Sequence, residues 1–284
     1  LAETADHIKN KEILGVYVGW RGDSVKVPLL DKYNLINWSS FWDRKSTAHQ
    51  LASQGLTELL LELETSVTEA NGRNHKMVTI GHSFGGAALY TALQPILSER
   101  FIKSRASGIE SEINGFGDVV VLLNPAFEGM KFNGLFHLAQ GQCESYPKTQ
   151  PPRLVILSSS ADWPVRYMFP AGRRINALME THRPIELLHC NDKLPNKWTL
   201  DTGYTDRYAV GHNRFYLTHD LEKNTDEKKC KLNSASDDVV RRNYLTTLTS
   251  RSVLGLNSPY LNIWTYECVM SDHNDIWRDE VMEF

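Results

Sequence analysis

Short apolar, β-branched runs recur along the chain. They cover residues 13–20, 76–80, 119–124 and 154–158, and a more mixed run at 260–270 predicts a last strand. Runs that are apolar at successive positions, rather than at alternating ones, are typical of strands buried on both faces. The pattern therefore predicts the strands of a sheet that is covered on both sides.

Segments with helical signals separate several of these runs. Residues 46–70 open with Ser46, which can cap a helix, and they stop before Asn71 and Gly72. Further helices are predicted after Ser83, extending towards residue 101, and over residues 236–248. Strands that alternate with helices predict an α/β fold with a mostly parallel central sheet and helices on both faces.

Two long segments show neither pattern. Residues 127–152 are interpreted as a mixed loop, and residues 165–231 are irregular and polar, with several prolines, glycines and aromatics. A stretch of the second length without periodicity is usually a functional insertion rather than core. We expect this insertion to belong to a single domain that spans residues 1–284.

Composition excludes few classes of function. The chain of 284 residues is 41% hydrophobic and 23% charged, as in an ordinary soluble protein, and its formal net charge is −3. This charge gives no reason to expect nucleic acid or an anionic membrane as partner. Because no run of 18 apolar residues exists, no transmembrane segment is expected. The compartment stays open, with the cytoplasm slightly favoured, and so does the oligomeric state.

The cysteines and the first residues of the chain say little about its fold or its function. Cys143, Cys190, Cys230 and Cys268 form no C-x-x-C pair, so zinc-type spacing is absent, while two disulfides could form. The chain starts at Leu1 with neither a signal peptide nor an initiator methionine. We therefore expect a processed or N-terminally truncated chain.

The most informative motif is Gly81-His82-Ser83-Phe84-Gly85, which fits the pattern G-x-S-x-G. An apolar run precedes it, and the small residues Gly86-Ala87-Ala88 follow it, which allows a helix to pack closely on a sheet. A serine on a sharp strand-to-helix turn needs neighbours that are nearly free of side chains, and glycine meets that need. The motif predicts an exposed, nucleophilic Ser83.

With this motif the chain resembles the α/β-hydrolase superfamily, in its serine esterase and lipase branch. Asp162 follows the run 154–158, and His273 follows the last predicted strand, so Ser83, Asp162 and His273 obey the order of the family. The resemblance implies that Ser83 is the nucleophile, His273 the general base and later acid, and Asp162 the residue that orients the imidazole. It also implies that no metal or organic cofactor is needed. All three residues should lie at the carboxyl edge of the sheet.

Other residues compete for these roles. His82 lies inside the motif and is interpreted as packing under the turn. Asp118 precedes its strand, at the wrong end of the sheet, and Asp201 lies in the insertion. His212 and His219-Asp220 match no standard metal-ligand spacing, so no metal site is expected there.

Two backbone N–H groups are expected to bind an oxyanion at this site. The N–H of Phe84, at the start of the helix after Ser83, is the expected donor. The family's His-Gly loop, which supplies the second donor, is absent upstream. Either a segment carrying the third strand of the family precedes this chain, or residues 13–20 form that strand. In the second case Trp20 or Arg21 supplies the N–H.

The sequence thus predicts a serine hydrolase that cleaves a carboxylic ester, a small molecule or a lipid, through an acyl-serine intermediate. A non-catalytic binding module with the same fold and a phospholipase-type toxin are the alternatives. Part of the insertion 165–231 is predicted to cap the site with apolar walls, using aromatics such as Trp198, Phe215 and Tyr216. The alternative is a peripheral decoration on the flank of the sheet.

Overall fold

A computed structural model of the protein describes residues 13–19, 55–69, 75–108, 111–140, 146–177, 180–191, 194–225, 230, 239–251 and 257–284. The strands are β1 (Val78–His82), β2 (Val119–Leu123), β3 (Leu154–Ser159), β4 (Ile185–Asn191), β5 (Leu194–Leu200), β6 (His219–Lys223), β7 (Val239–Arg242), β8 (Thr246–Ser250) and β9 (Tyr260–Thr265). The helices are α1 (Thr57–Glu69), α2 (Ser83–Ala106), α3 (Gly129–Gln140), α4 (Phe169–Asn176), α5 (Thr202–Arg207) and α6 (Asp279–Glu283).

The central sheet has seven strands in the order β1-β2-β3-β9-β6-β8-β7. Strands β1, β2, β3, β9 and β6 run parallel, and β8 and β7 continue the sheet in antiparallel pairs. Strands β4 and β5 form a separate antiparallel hairpin. The predicted α/β class with a mostly parallel central sheet is confirmed.

The middle of the sheet carries the most continuous apolar runs because it is covered on both faces. Every residue of β3 is buried. On one face, Leu122 and Ile156 pack in a core with Leu93 of α2 and Phe132 of α3. On the other face, Val155 and its neighbours pack against Val281 of α6 and the chain end at Phe284. A cavity of about 1070 Å³ also lies on this second face.

The parallel register brings the carboxyl ends of β1, β2, β3 and β9 to one edge of the sheet. Helix α2 starts at that edge directly after β1. The turn after β3 and the loop after β9 also leave from it. This is the edge that the sequence predicted for the site.

The predicted strand at 13–20 is wrong for the residues that the structure describes. Residues 13–19 form no strand, and Ile13 and Tyr17 are 81% and 93% exposed. Within the described part of the chain, β1 pairs only with β2 and leaves Val78 and Ile80 more than half exposed. An apolar run becomes a strand only where another strand supplies its hydrogen bonds, and a local pattern does not contain that information.

Three other predictions for the secondary structure need correction. The mixed loop at 127–152 contains helix α3, and the predicted helix at 236–248 is the antiparallel pair β7 and β8. The segment 165–231 is not irregular throughout, since it holds the hairpin β4–β5, two helices and β6, which belongs to the central sheet. The predicted helix at 46–70 is present from Thr57 to Glu69, and residues 46–54 lie outside the described residues.

None of the helices in the described ranges combines the length and the apolar character that crossing a bilayer requires.

Candidate active site

Ser83 sits where β1 turns directly into α2. Its φ is +54°, in the left-handed region that an L-residue with a side chain enters only at a cost. A Cβ on Gly81 would lie 2.8 Å from the Cα of Gly86, so strand and helix cross too closely for a side chain there. The carbonyl of Ser83 accepts the N–H of Ala126 at 3.1 Å, which ties the turn to the end of β2. The predicted strand–turn–helix context of the motif is present.

Asp162 lies in the turn after β3 and is fully buried. The N–H of Asp162 donates to the carbonyl of Ser159 at 3.1 Å, and the carboxylate oxygen Oδ1 accepts the N–H of Val165 at 3.0 Å. The first bond fixes the backbone of the turn, and the second gives the buried carboxylate a hydrogen-bond donor.

His273 lies in the loop after β9 and joins the other two residues. Its Nδ1–H donates to Oδ1 of Asp162 at 2.9 Å, and the hydroxyl of Ser83 donates to its Nε2 at 2.8 Å. Because a carboxylate oxygen accepts, the proton of the neutral ring resides on Nδ1, and Nε2 is left to accept from the serine. The structure thus brings together the three residues that the sequence selected, from elements up to 190 positions apart.

Two side chains hold the His273 loop by its backbone. The Nδ2 amide of Asn124 donates to the carbonyl of His273 at 3.0 Å, and Nε2–H of His82 donates to the same oxygen at 2.7 Å. The rings of His82 and His273 lie 4.7 Å apart. The sequence analysis interpreted His82 as packing under the turn and did not identify this hydrogen bond. Burial lowers the pKa of His82, despite the hydrogen bond to His273, which acts the other way. The ring is thus kept neutral as a donor.

Ser159 links the turn of the acid to the loop of the histidine. Its hydroxyl donates to the carbonyl of Met270 at 2.5 Å and accepts the N–H of Ala161 at 3.1 Å. Its own N–H donates to Oδ1 of Asn124 at 3.0 Å. Asn124 and Ser159 therefore form one network that fixes Asp162 and His273 relative to each other.

The sequence analysis did not single out Asn124 or Ser159. The available signal was their position, since each is a polar residue at the carboxyl end of an otherwise apolar run. Asn124 also has φ +45°, but backbone angles are not visible in a sequence.

The predicted oxyanion donors are the N–H of Phe84 and the N–H of Trp20 or Arg21. Phe84 is the second residue of α2 and lies in its first turn, directly after Ser83. Its position agrees with the predicted role. Trp20 lies outside the described residues, and so does Arg21.

The rival acids serve other purposes. Asp118 accepts from Nζ of Lys76 at 2.8 Å and from the N–H of Met77 at 2.7 Å, at the opposite edge of the sheet. Asp201 caps α5 by accepting the N–H of Tyr204 at 2.9 Å. Both placements agree with their rejection as the catalytic acid.

The segment 165–231 divides into two parts around the site. Val165, Phe169 and Ala209 pack with Phe84 in one apolar cluster, beside the serine turn. Phe215 and Tyr216 instead contact Phe136 of α3, with ring centroids 5.5 and 5.2 Å away. The first part fits the predicted cap. Among the aromatics named for the cap, Phe215 and Tyr216 fit the alternative, a decoration on the flank, and the cap itself stays a prediction.

One side-chain cluster in the described residues has ligand atoms close enough for a metal, namely Glu180, His182 and Asp206. The guanidinium of Arg173 lies among them, 2.8 Å from Glu180 and 2.9 Å from Asp206. An arginine fork already neutralises these carboxylates, and the cluster is explained as an ion-pair network.

Cys230 and Cys268 form a disulfide. Cys268 lies between β9 and His273, so the bond fastens the start of the loop that carries the histidine.

Comparisons of the chain with protein-family models, with characterised proteins and with solved structures found no match.

Proposed function

We propose that this protein is a serine hydrolase with the α/β-hydrolase fold, and that it cleaves a carboxylic ester through an acyl-Ser83 intermediate. The observation that carries the proposal is the continuous hydrogen-bond chain from Ser83 Oγ through His273 to Asp162, at 2.8 and 2.9 Å. The left-handed backbone of Ser83 adds support, because strain of this kind clusters at functional sites.

In the first half of the reaction, Ser83 Oγ attacks the ester carbonyl while its proton moves to Nε2 of His273. The buried charge of Asp162 stabilises the imidazolium that forms. The N–H of Phe84 faces the developing oxyanion from the first turn of α2, where the helix dipole adds a partial positive charge. Collapse of the tetrahedral intermediate expels the alcohol, which takes the proton from His273, and leaves the acyl-enzyme.

In the second half, His273 removes a proton from water, and the resulting nucleophile attacks the acyl-Ser83 carbonyl. A second tetrahedral intermediate then releases the carboxylic acid and returns the proton to Ser83 Oγ. The steps use the side chains of Ser83, His273 and Asp162, the backbone N–H of Phe84 and one water molecule.

A fluorophosphonate probe tests the proposal directly, since it reacts with an activated serine. The wild-type protein should be labelled at Ser83 and should hydrolyse p-nitrophenyl esters, and Ser83→Ala should lose both properties. Ser66→Ala is the matched control, because Ser66 is exposed on α1, where its hydroxyl donates to the carbonyl of Glu62. Turnover that is unchanged in Ser83→Ala would refute the proposal.

The alternatives give different outcomes in the same assays. A non-catalytic binding module would take up no probe. A phospholipase would be labelled and would also release fatty acid from phospholipid vesicles. The exposed Trp163 and Tyr167, at the first turn after Asp162, are the observation that keeps this second alternative under consideration.

A further inference from the structure

A second buried histidine lies close to the proposed triad, and the mechanism above does not use it. His212 ends a single 3-10 turn, Val210–His212, that packs against β3 and β9. Its side chain is buried and meets the ring of Trp264 edge-on, with centroids 5.2 Å apart.

The backbone around His212 is fixed from several sides. The N–H of Val210 donates to the carbonyl of Phe127 at 3.0 Å, and Nδ2 of Asn262 donates to the carbonyl of Val210 at 3.0 Å. Gly211 lies against the side chain of Ser158, so closely that a Cβ there would overlap it. The turn is therefore pressed onto β3 only a few residues before Asp162, and His212 has little freedom to lie elsewhere.

The polar groups in this region are incompletely paired. Both ring nitrogens of His212 and the Oδ2 oxygen of Asp162 have no hydrogen-bond partner among the described residues. A neutral imidazole has one N–H to donate, and a carboxylate oxygen needs a donor. Buried groups without partners are rare in folded proteins and call for an explanation. A hydrogen bond from the ring N–H of His212 to Oδ2 of Asp162 would satisfy both of these buried groups.

The charge state of His212 suits a donor. Burial lowers its pKa to about 4, although the charge of Asp162 opposes this, while Arg166 and His273 act in the same direction as burial. Near neutral pH the ring can therefore donate a hydrogen bond without adding a positive charge beside the carboxylate that must stabilise His273.

We propose that His212 is a positioning residue for the catalytic acid, and that its ring N–H satisfies Oδ2 of Asp162, directly after a small ring rotation or across one water molecule. Oδ1 then accepts from His273 and Val165, so that both oxygens of the carboxylate have a hydrogen-bond donor. The role in catalysis rests on the proposed hydrolase function.

Three variants of His212 and one control test this inference. His212→Phe keeps a ring against Trp264 but has no donor, whereas His212→Asn and His212→Gln each carry an amide N–H near one of the two ring nitrogens. His137→Phe is the control, because His137 on α3 is also partly buried with an unpaired ring nitrogen. We expect kcat for a p-nitrophenyl ester to fall about 10- to 100-fold in His212→Phe, the range for loss of one hydrogen bond to a charged group, with KM unchanged.

At least one amide variant should recover most of kcat, and His137→Phe should match the wild type. A loss of kcat that neither amide variant recovers would overturn the inference, and so would a fully active His212→Phe. A separate NMR measurement follows the proton on Nδ1 of His273, which needs no turnover. Its exchange with water should be at least tenfold faster in His212→Phe than in the wild type. An unchanged rate would overturn the role of His212, whereas absence of fluorophosphonate labelling in the wild type would overturn only the hydrolase function.

Discussion

Asn124 offers the sharpest test of how the site is held together. The residue is fully buried at the end of β2, has φ +45°, and joins Ser159 to His273 through both ends of its amide. Replacing it by alanine removes these two hydrogen bonds and two longer ones, from Nδ2 to the carbonyl of Asp272 at 3.5 Å and to Sδ of Met270 at 3.4 Å. It also leaves a residue that tolerates the left-handed region poorly.

The loss in the free energy of unfolding can be divided among the contacts that Asn124 makes. The N–H of Ser159 is left unpaired in the interior, which costs about 1–3 kcal/mol, while the carbonyl of His273 still accepts from His82 and loses only about 1 kcal/mol. The left-handed backbone adds about 1 kcal/mol for alanine and nothing for glycine. We expect Asn124→Ala to lower the free energy of unfolding by about 4 kcal/mol and Asn124→Gly by about 3 kcal/mol.

Urea unfolding measures both values, and ester turnover measures the effect on the site. We expect kcat to fall at least tenfold in both variants, because the carbonyl of His273 loses one of its two side-chain donors. Asn224→Ala is the control, since the amide of Asn224 also donates to two carbonyls, those of Asn243 and Tyr244, but it is exposed. That control should lose less than about 1 kcal/mol and keep its kcat.

Two results would refute this reasoning. If the free energies of unfolding of Asn124→Ala and Asn124→Gly both lie within about 0.5 kcal/mol of the wild-type value, the hydrogen bonds do not contribute the stability assigned to them. If the glycine variant is the less stable of the two, the argument from the left-handed backbone is wrong.

Two further predictions concern other contacts near the site. Gly211→Ala should lower the free energy of unfolding by about 1–3 kcal/mol, because the added Cβ overlaps the side chain of Ser158. The second change Ser158→Gly should recover most of this loss, since it removes the overlapping atoms. Additive losses of the two changes in urea unfolding would contradict this prediction. Replacing Cys230 and Cys268 by serine opens a loop of 38 residues and should cost about 4 kcal/mol by loop entropy. A reducing agent should then destabilise the wild type but not the double variant, and an equal response of the two would contradict the prediction.

The sequence determined the parts of this protein that depend on local pattern. The runs at 119–124 and 154–158 are strands because successive apolar residues need cover on both faces, and the motif around Ser83 contains the glycines that its sharp turn requires. The order of Ser83, Asp162 and His273 was likewise visible, since each follows a predicted strand. Their catalytic roles stay predictions until the labelling experiment is done.

Some features were visible in the pattern but misread. Phe132, Leu135 and Phe136 are spaced as on one face of a helix, and they are buried on α3, where the sequence analysis placed a loop. The threonines of 246–250 favour a strand over the predicted helix, as the pairing of β8 with β6 and β7 bears out.

Only the tertiary structure decided which residues support the site. Asn124 directly follows β2, and Ser159 and His82 end β3 and β1, yet all three have partners in the loop that follows β9. Contacts between residues more than a hundred positions apart depend on strand order and register, which no local pattern encodes. The same reason explains residues 13–19, where an apolar run predicted a strand. Pairing needs a neighbour, and the fold, not the run itself, decides whether there is one.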